Sequence, residues 1–250
     1  MNNKDFKILG KGEPKFIAVH GWGDDNSTFD PIEKYIPEHL SILCPNLPGY
    51  GGLEPPNEWT VESISKNLVK FLAERTDLEN KIFIGNCFGA VPVLEMLIGK
   101  YISPTKIIII DPYAFIPFYF KIFLAGKFGE RAYKTTFDSR IGRFITNFAL
   151  KNHRTDESDL TKSFSKVDHD SVHKYLKLMS KISGPEKYKD INVQIKILFG
   201  ENSFGAVKKS AWILKELWQN KANLYEIPNS GHLPIQENPK HLSEIIFKNE

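Results

Sequence analysis

The chain has 250 residues, 41% hydrophobic and 25% charged, with a net charge of +3. That is the make-up of an ordinary globular protein with enough length to bury a large core. The charge is too small to imply a nucleic-acid partner, the polar start Met1-Asn2-Asn3-Lys4-Asp5 has no signal-peptide pattern, and no apolar run spans a bilayer. Even the aromatic stretch from Phe115 to Ala125 is broken by Lys121.

Strand-like and helix-like runs alternate, which predicts a parallel sheet with helices on both faces. Lys15 to His20 reads as a buried strand, followed at once by His20-Gly21-Trp22-Gly23. Gly21 and Gly23 permit close approach to a neighbouring group. His20 reads better as a buried histidine that orders the turn than as a catalytic group. Ser27 to Glu38 reads as a helix capped by Ser27 or Thr28, and Ser41 to Pro45 as the next strand. Leu47-Pro48-Gly49-Tyr50-Gly51-Gly52 forms a turn. Thr60 caps a helix that places Val61, Ile64, Leu68, Phe71 and Leu72 on one side.

The apolar run Lys81-Ile82-Phe83-Ile84 leads into Gly85-Asn86-Cys87-Phe88-Gly89 and then into helical periodicity through Tyr101. Strand, G-x-nucleophile-x-G, helix is the layout of a nucleophile elbow. The glycines let a strained turn close without Cβ clashes. The nucleophile position holds Cys87. The amides of Trp22 and Phe88 are the candidate oxyanion hole. With only Cys44 and Cys87, both expected inside the same sheet, no structural disulfide is expected. A reducing, cytoplasmic location is the expectation.

Lys106 to Asp111 contains four consecutive isoleucines, as expected of a strand covered on both faces. Periodicity then changes. Residues 112–190 show no strong strand and read as several helices, a cap inserted into a core formed by 1–111 and 191–250. From 112 to 189 the segment carries fifteen Lys/Arg against eight Asp/Glu and many aromatics, Tyr113, Phe115 and Phe118 among them. An aromatic lining with a basic rim suits an apolar acyl group on an anionic carrier. A solvated surface with packing aromatics is the plainer alternative, and the mixture at 118–127 also fits a membrane surface.

The strand Gln194 to Phe199, a helix over about 206–219, the strand Asn223 to Ile227 and a helix near Pro239 to Lys248 complete the pattern. Ser230-Gly231-His232 follows the last strand, which makes His232 the candidate base. His39, His153, His169, His173 and His241 lie in contexts that suit solvent.

Together HGWG, LPGYGG, the GxCxG elbow and the late Gly-His resemble the α/β-hydrolase superfamily over nearly the whole chain. HGWG with LPGYG is similar to the motifs of cytoplasmic esterases that demethylate pimeloyl-carrier-protein methyl ester. The resemblance implies an α/β-hydrolase fold, mostly parallel, with a helical cap before the penultimate strand. It implies a covalent acyl-enzyme on Cys87, with His20, Gly21, Tyr113, Phe115 and Phe118 near the substrate, and no cofactor or metal. The implied partner is an acyl ester or thioester, free or on an acyl carrier protein or coenzyme A, acted on by a monomer or dimer. Acyl transfer and a catalytically silent binding role remain the alternatives. The pattern breaks at Gly200-Glu201-Asn202-Ser203, where Ser203 stands at the position that usually holds the acid. Asp111, at the end of the isoleucine-rich strand, is then the expected partner of His232, with Glu201 or no residue as the alternatives. A thiol near pKa 8.5 tolerates a weakened acid better than a hydroxyl does.

Overall fold

A computed structural model describes residues 4–182, 184–248 and 250. The first three residues of the polar start lie outside the described residues. Seven strands form one sheet: β1 (Phe6–Gly10), β2 (Phe16–Val19), β3 (Ser41–Pro45), β4 (Ile82–Asn86), β5 (Lys106–Ile110), β6 (Gln194–Gly200) and β7 (Ala222–Ile227). Their order is β1-β3-β2-β4-β5-β6-β7. β1 runs antiparallel to β3, and the other pairings are parallel. The fold is that of an α/β hydrolase, as expected.

Alternation along each strand sends neighbouring side chains to opposite faces, and two core layers result. One gathers Ile17, Leu43, Phe83, Ile107, Ile109 and Ile197. It is covered by α1 (Val61–Ala73), α2 (Ala90–Ile98) and α6 (Gly205–Trp218). The other gathers Phe16, Ile42, Ile84, Ile108, Ile110 and Leu198 against Phe29, Ile32, Leu242 and Ile246. The last two side chains belong to the C-terminal helix, Pro239–Ile246. Thr60 caps α1 as predicted, accepting from Ser63 N.

Two local expectations need correction. The stretch after the HGWG loop is a 3-10 helix, Asn26–Tyr35, capped by Asp25 rather than by Ser27 or Thr28. The Asp25 carboxylate accepts the Ser27 N–H at 2.8 Å. Pro31 inside it lacks a donor and disfavours a continuous α-helix. β1 carries no prediction because it is a short, half-exposed edge strand with Ile8 turned outward, so its apolar signal is weak.

Between β5 and β6 the chain is helical. It contains α3 (Gly126–Tyr133), α4 (Arg140–Ala149) and α5 (His169–Met179), joined by 3-10 turns such as Phe118–Leu124 and a π segment, Lys134–Asp138. These elements lie over the C-terminal ends of the strands, where open parallel sheets place their ligand crevices.

Candidate active site

Cys87 stands at the end of β4 with φ 50°, a left-handed conformation costly for a residue with a Cβ. The turn runs through a 3-10 helix, Cys87–Gly89, directly into α2. Gly85 and Gly89 are required for space rather than for φ. A Cβ on Gly85 would strike the backbone of Ala90, and one on Gly89 the carbonyl of Val19. The two glycines thus let helix and strands close around the thiol. Cys87 is half-buried, whereas Cys44 is wholly buried in β3 and burial pushes its thiol far above the ordinary range.

His232 lies in the loop after β7. Its Nδ1 is 2.7 Å from Asp111 Oδ2. Asp111 is fully buried at the tip of β5 and also adopts a left-handed backbone, φ 46°. Its other oxygen accepts the Gly200 N–H at 2.9 Å. Ser203 Oγ donates to Asp111 Oδ2 at 2.6 Å and lies 3.4 Å from His232 Nδ1. Glu201 turns elsewhere, accepting the Asn229 N–H at 2.9 Å. Of the two carboxylates considered, Asp111 is the one beside the imidazole, and the serine in the customary acid position braces it.

Burial opposes a charge on His232, but hydrogen bonds and Coulomb attraction from Asp111 and Cys87 outweigh it and raise its pKa to about 10. The shift favours the protonated form of the ring, which faces the Cys87 sulfur. The helical segment holds this loop from above. His153 O accepts the His232 N–H at 2.8 Å. Glu237 accepts from Gly231 N at 2.5 Å and from Thr155 N at 2.8 Å, and Ser158 Oγ donates to it as well. The expectation that His153 merely suits solvent is corrected by this role, and its ring lies 4.4 Å from that of Phe204. His173 is likewise buried, with its Nε2 bonded to Phe123 O at 2.8 Å.

The HGWG loop closes the other side of the thiol. A Cβ on Gly21 would sit 2.9 Å from Cys87 Cβ, so only glycine allows the loop this close. His20 is buried. Its Nδ1 donates to Gly21 O at 2.9 Å, and its Nε2 accepts the Leu47 N–H at 3.0 Å. Burial lowers its pKa to about 4, so it is a neutral strut between the HGWG and LPGYGG loops. Trp22 donates its indole N–H to Val172 O at 2.8 Å, which ties the loop to α5.

A narrow cavity of about 130 Å³ opens on Cys87 and His232. Of the residues expected near the substrate, Gly21 and Tyr113 line it, together with Trp22, Phe120, Phe137 and Phe164, and His20, Phe115 and Phe118 do not. His20 is spent on the loops. Phe115 packs near Lys209, whose Nζ is 5.7 Å from the ring centre, and Phe118 is 81% exposed. Asp24 and Phe204 line the cavity but were not singled out by sequence. Burial raises the Asp24 pKa to about 6, and the doublet Asp24-Asp25 after HGWG was the available signal. A larger cavity of about 410 Å³ lies around Lys100, Tyr101 and Asn192, near the N-terminal ends of the strands, and is lined by neither Cys87 nor His232.

A family model described as "Alpha/beta hydrolase family" matches residues 16–242. A pimeloyl-[acyl-carrier protein] methyl ester esterase of Legionella pneumophila (strain Paris) is 39% identical over 66 residues, 26% of this chain and 26% of that protein. The chain thus spans about a quarter of the length of that relative. The enzyme of the same name from Salmonella newport (strain SL254) is 20% identical over 261 aligned positions, covering 99% of this chain and 98% of that one. Among solved structures, an esterase from Exiguobacterium antarcticum superposes with a TM-score of 0.75 at 14% identity, covering 96% of this chain and 92% of its own. MenH from S. aureus gives 0.73 at 17% identity, covering 98% and 97%. At such identities the structural likeness speaks for the fold.

Proposed function

The chain belongs to the alpha/beta hydrolase family, and on that premise we propose that it hydrolyses an acyl ester or thioester through Cys87, His232 and Asp111. The observation that carries this reading is the pairing of His232 with a buried carboxylate at 2.7 Å, directly beside a cysteine held at φ 50°.

In this mechanism the proton rests on His232, and the Cys87 thiolate attacks the acyl carbon. A carbon–sulfur bond forms, and the carbonyl oxygen gains charge beside the backbone amides of Trp22 and Phe88. The intermediate collapses, and His232 protonates the departing alcohol or thiol. Water then enters, loses a proton to His232 and cleaves the thioester, which restores the thiolate and releases the acid. Asp111 keeps Nδ1 as the donor side, so that Nε2 faces the reaction. Ser203 and Gly200 hold the carboxylate in place.

The aromatic walls suit an apolar acyl chain. The relatives' names specify a pimeloyl ester on acyl carrier protein. A carrier-linked methyl ester is accordingly the first substrate to try, with residues 112–190 serving as the cap over it. Cys87→Ala is the deciding variant. It should abolish turnover and the acyl adduct expected on the native chain in mass spectrometry. Turnover by the Ala variant would overturn the assignment, and a product acyl group moved to an added alcohol or thiol would mark a transferase.

A further inference from the structure

α4 is two-sided in an unusual sense. Thr146 within it and Leu150 just beyond it line the cavity. Ile141, Phe144, Ile145 and Phe148, spaced i, i+3, i+4 and i+7, share another face of the helix. These four side chains are 73%, 73%, 59% and 66% exposed. The 3-10 turn Phe118–Leu124 repeats the arrangement, with Phe120 in the cavity wall and Phe118, Tyr119 and Ile122 outward. Of the twelve large hydrophobic side chains exposed among the described residues, eight fall between Phe118 and Phe148. A monomer in water gains nothing from such a concentration.

The charges around this surface are mostly positive. Lys121, Lys127, Arg131, Lys134, Arg140 and Lys151 are exposed on the same elements and their flanks. The acids in that stretch are Glu130, 3.3 Å from Lys134, and Asp138, 3.4 Å from His169. From these observations we propose that the outer face of the helical insertion docks onto an anionic lipid surface. Exposed Phe and Ile would enter the headgroup boundary, and the cations would meet the lipid phosphates. A second copy on a twofold axis would bring this basic rim against an identical basic rim. An acidic carrier protein would satisfy the cations but leave the apolar stripe against a polar surface. No helix of the described residues is long and apolar enough to cross a membrane, so the attachment is peripheral on this reading. It places an acyl chain leaving the lipid one helix away from Cys87.

The test is co-sedimentation of the full chain with vesicles of phosphatidylglycerol and phosphatidylcholine, or of phosphatidylcholine alone. Partition should be at least about tenfold greater onto the anionic vesicles and should weaken with salt. The double variant Phe144→Ser/Phe148→Ser should lose about tenfold or more of that partition. It should keep the native melting temperature and the native hydrolysis rate on a short water-soluble ester. Cys87→Ala should bind vesicles like the native chain, so the outcome is independent of the proposed chemistry. Equal partition onto the two vesicle types overturns the proposal, as does partition unchanged in the double variant. A dimer in sedimentation velocity that the double variant dissolves, without vesicle binding, also overturns it.

Discussion

In the sheet, β5 buries four consecutive isoleucines between two layers, while in the insertion α4 leaves four apolar side chains in water. The strands are flanked on both faces, so almost any residue on them must be apolar. The insertion has one inner face, over the cavity, and its outer face is free to carry something else. The candidate site lies at the seam. Cys87, Asp111 and His232 follow the C-terminal ends of β4, β5 and β7, and His153, Phe137 and Phe164 come from the helical segment between β5 and β6.

The largest effect that tests this division belongs to Asp111. Asp111→Asn should lower kcat/KM by roughly a thousandfold, since the His232 tautomer and charge are no longer held. Glu201→Gln should leave the rate near native, and steady-state kinetics on one ester will separate the two. Next, Ile108→Ala in the sheet should destabilise the chain by about 2–5 kcal/mol in urea unfolding, through lost burial and the cavity left behind. If the sheet were as tolerant as the insertion, this value would fall below about 1 kcal/mol.

A third outcome concerns pH. The folded pKa of His232 is raised from 6.5 to about 10. The stability it contributes is therefore complete below pH 6.5 and is lost as pH rises toward 10. Thermal melting of the native chain should fall across that window, and Asp111→Asn should flatten the decline. Smaller again is the clamp between the regions. Glu237→Gln should cost roughly tenfold in kcat by loosening the Gly231-His232 loop, with little change in KM. Smallest is the outer face, where Phe144→Ser should move stability by no more than about 0.5 kcal/mol. A larger loss would mean that α4 packs against more than the structure shows.

Much of the sheet was legible because strand burial writes itself into composition. Ser41–Pro45 and the isoleucine run of β5 lie where periodicity put them. The elbow and the late Gly-His were legible because a tight turn needs small neighbours at set spacings, here Gly85, Gly89 and Gly231. The insertion was less legible. Its 3-10 and π segments follow no single period, and its aromatics divide between cavity and solvent. Phe118 and Phe120, two residues apart, went to opposite fates.

The sequence by itself determined six of the seven strands, the tight turn at Cys87 and the family, because each rests on local spacing or burial that neighbouring residues reveal. Only the tertiary structure decided which carboxylate faces His232. Asp111 and Glu201 both follow strands, and the sequence favoured Asp111 without fixing where either carboxylate points. The left-handed backbone at Asp111 turns its carboxylate toward the imidazole, while Glu201 closes the turn at Asn229. That choice is made by three strand ends meeting in space, and Ser203, in the position where an acid was expected, donates to the Asp111 carboxylate instead.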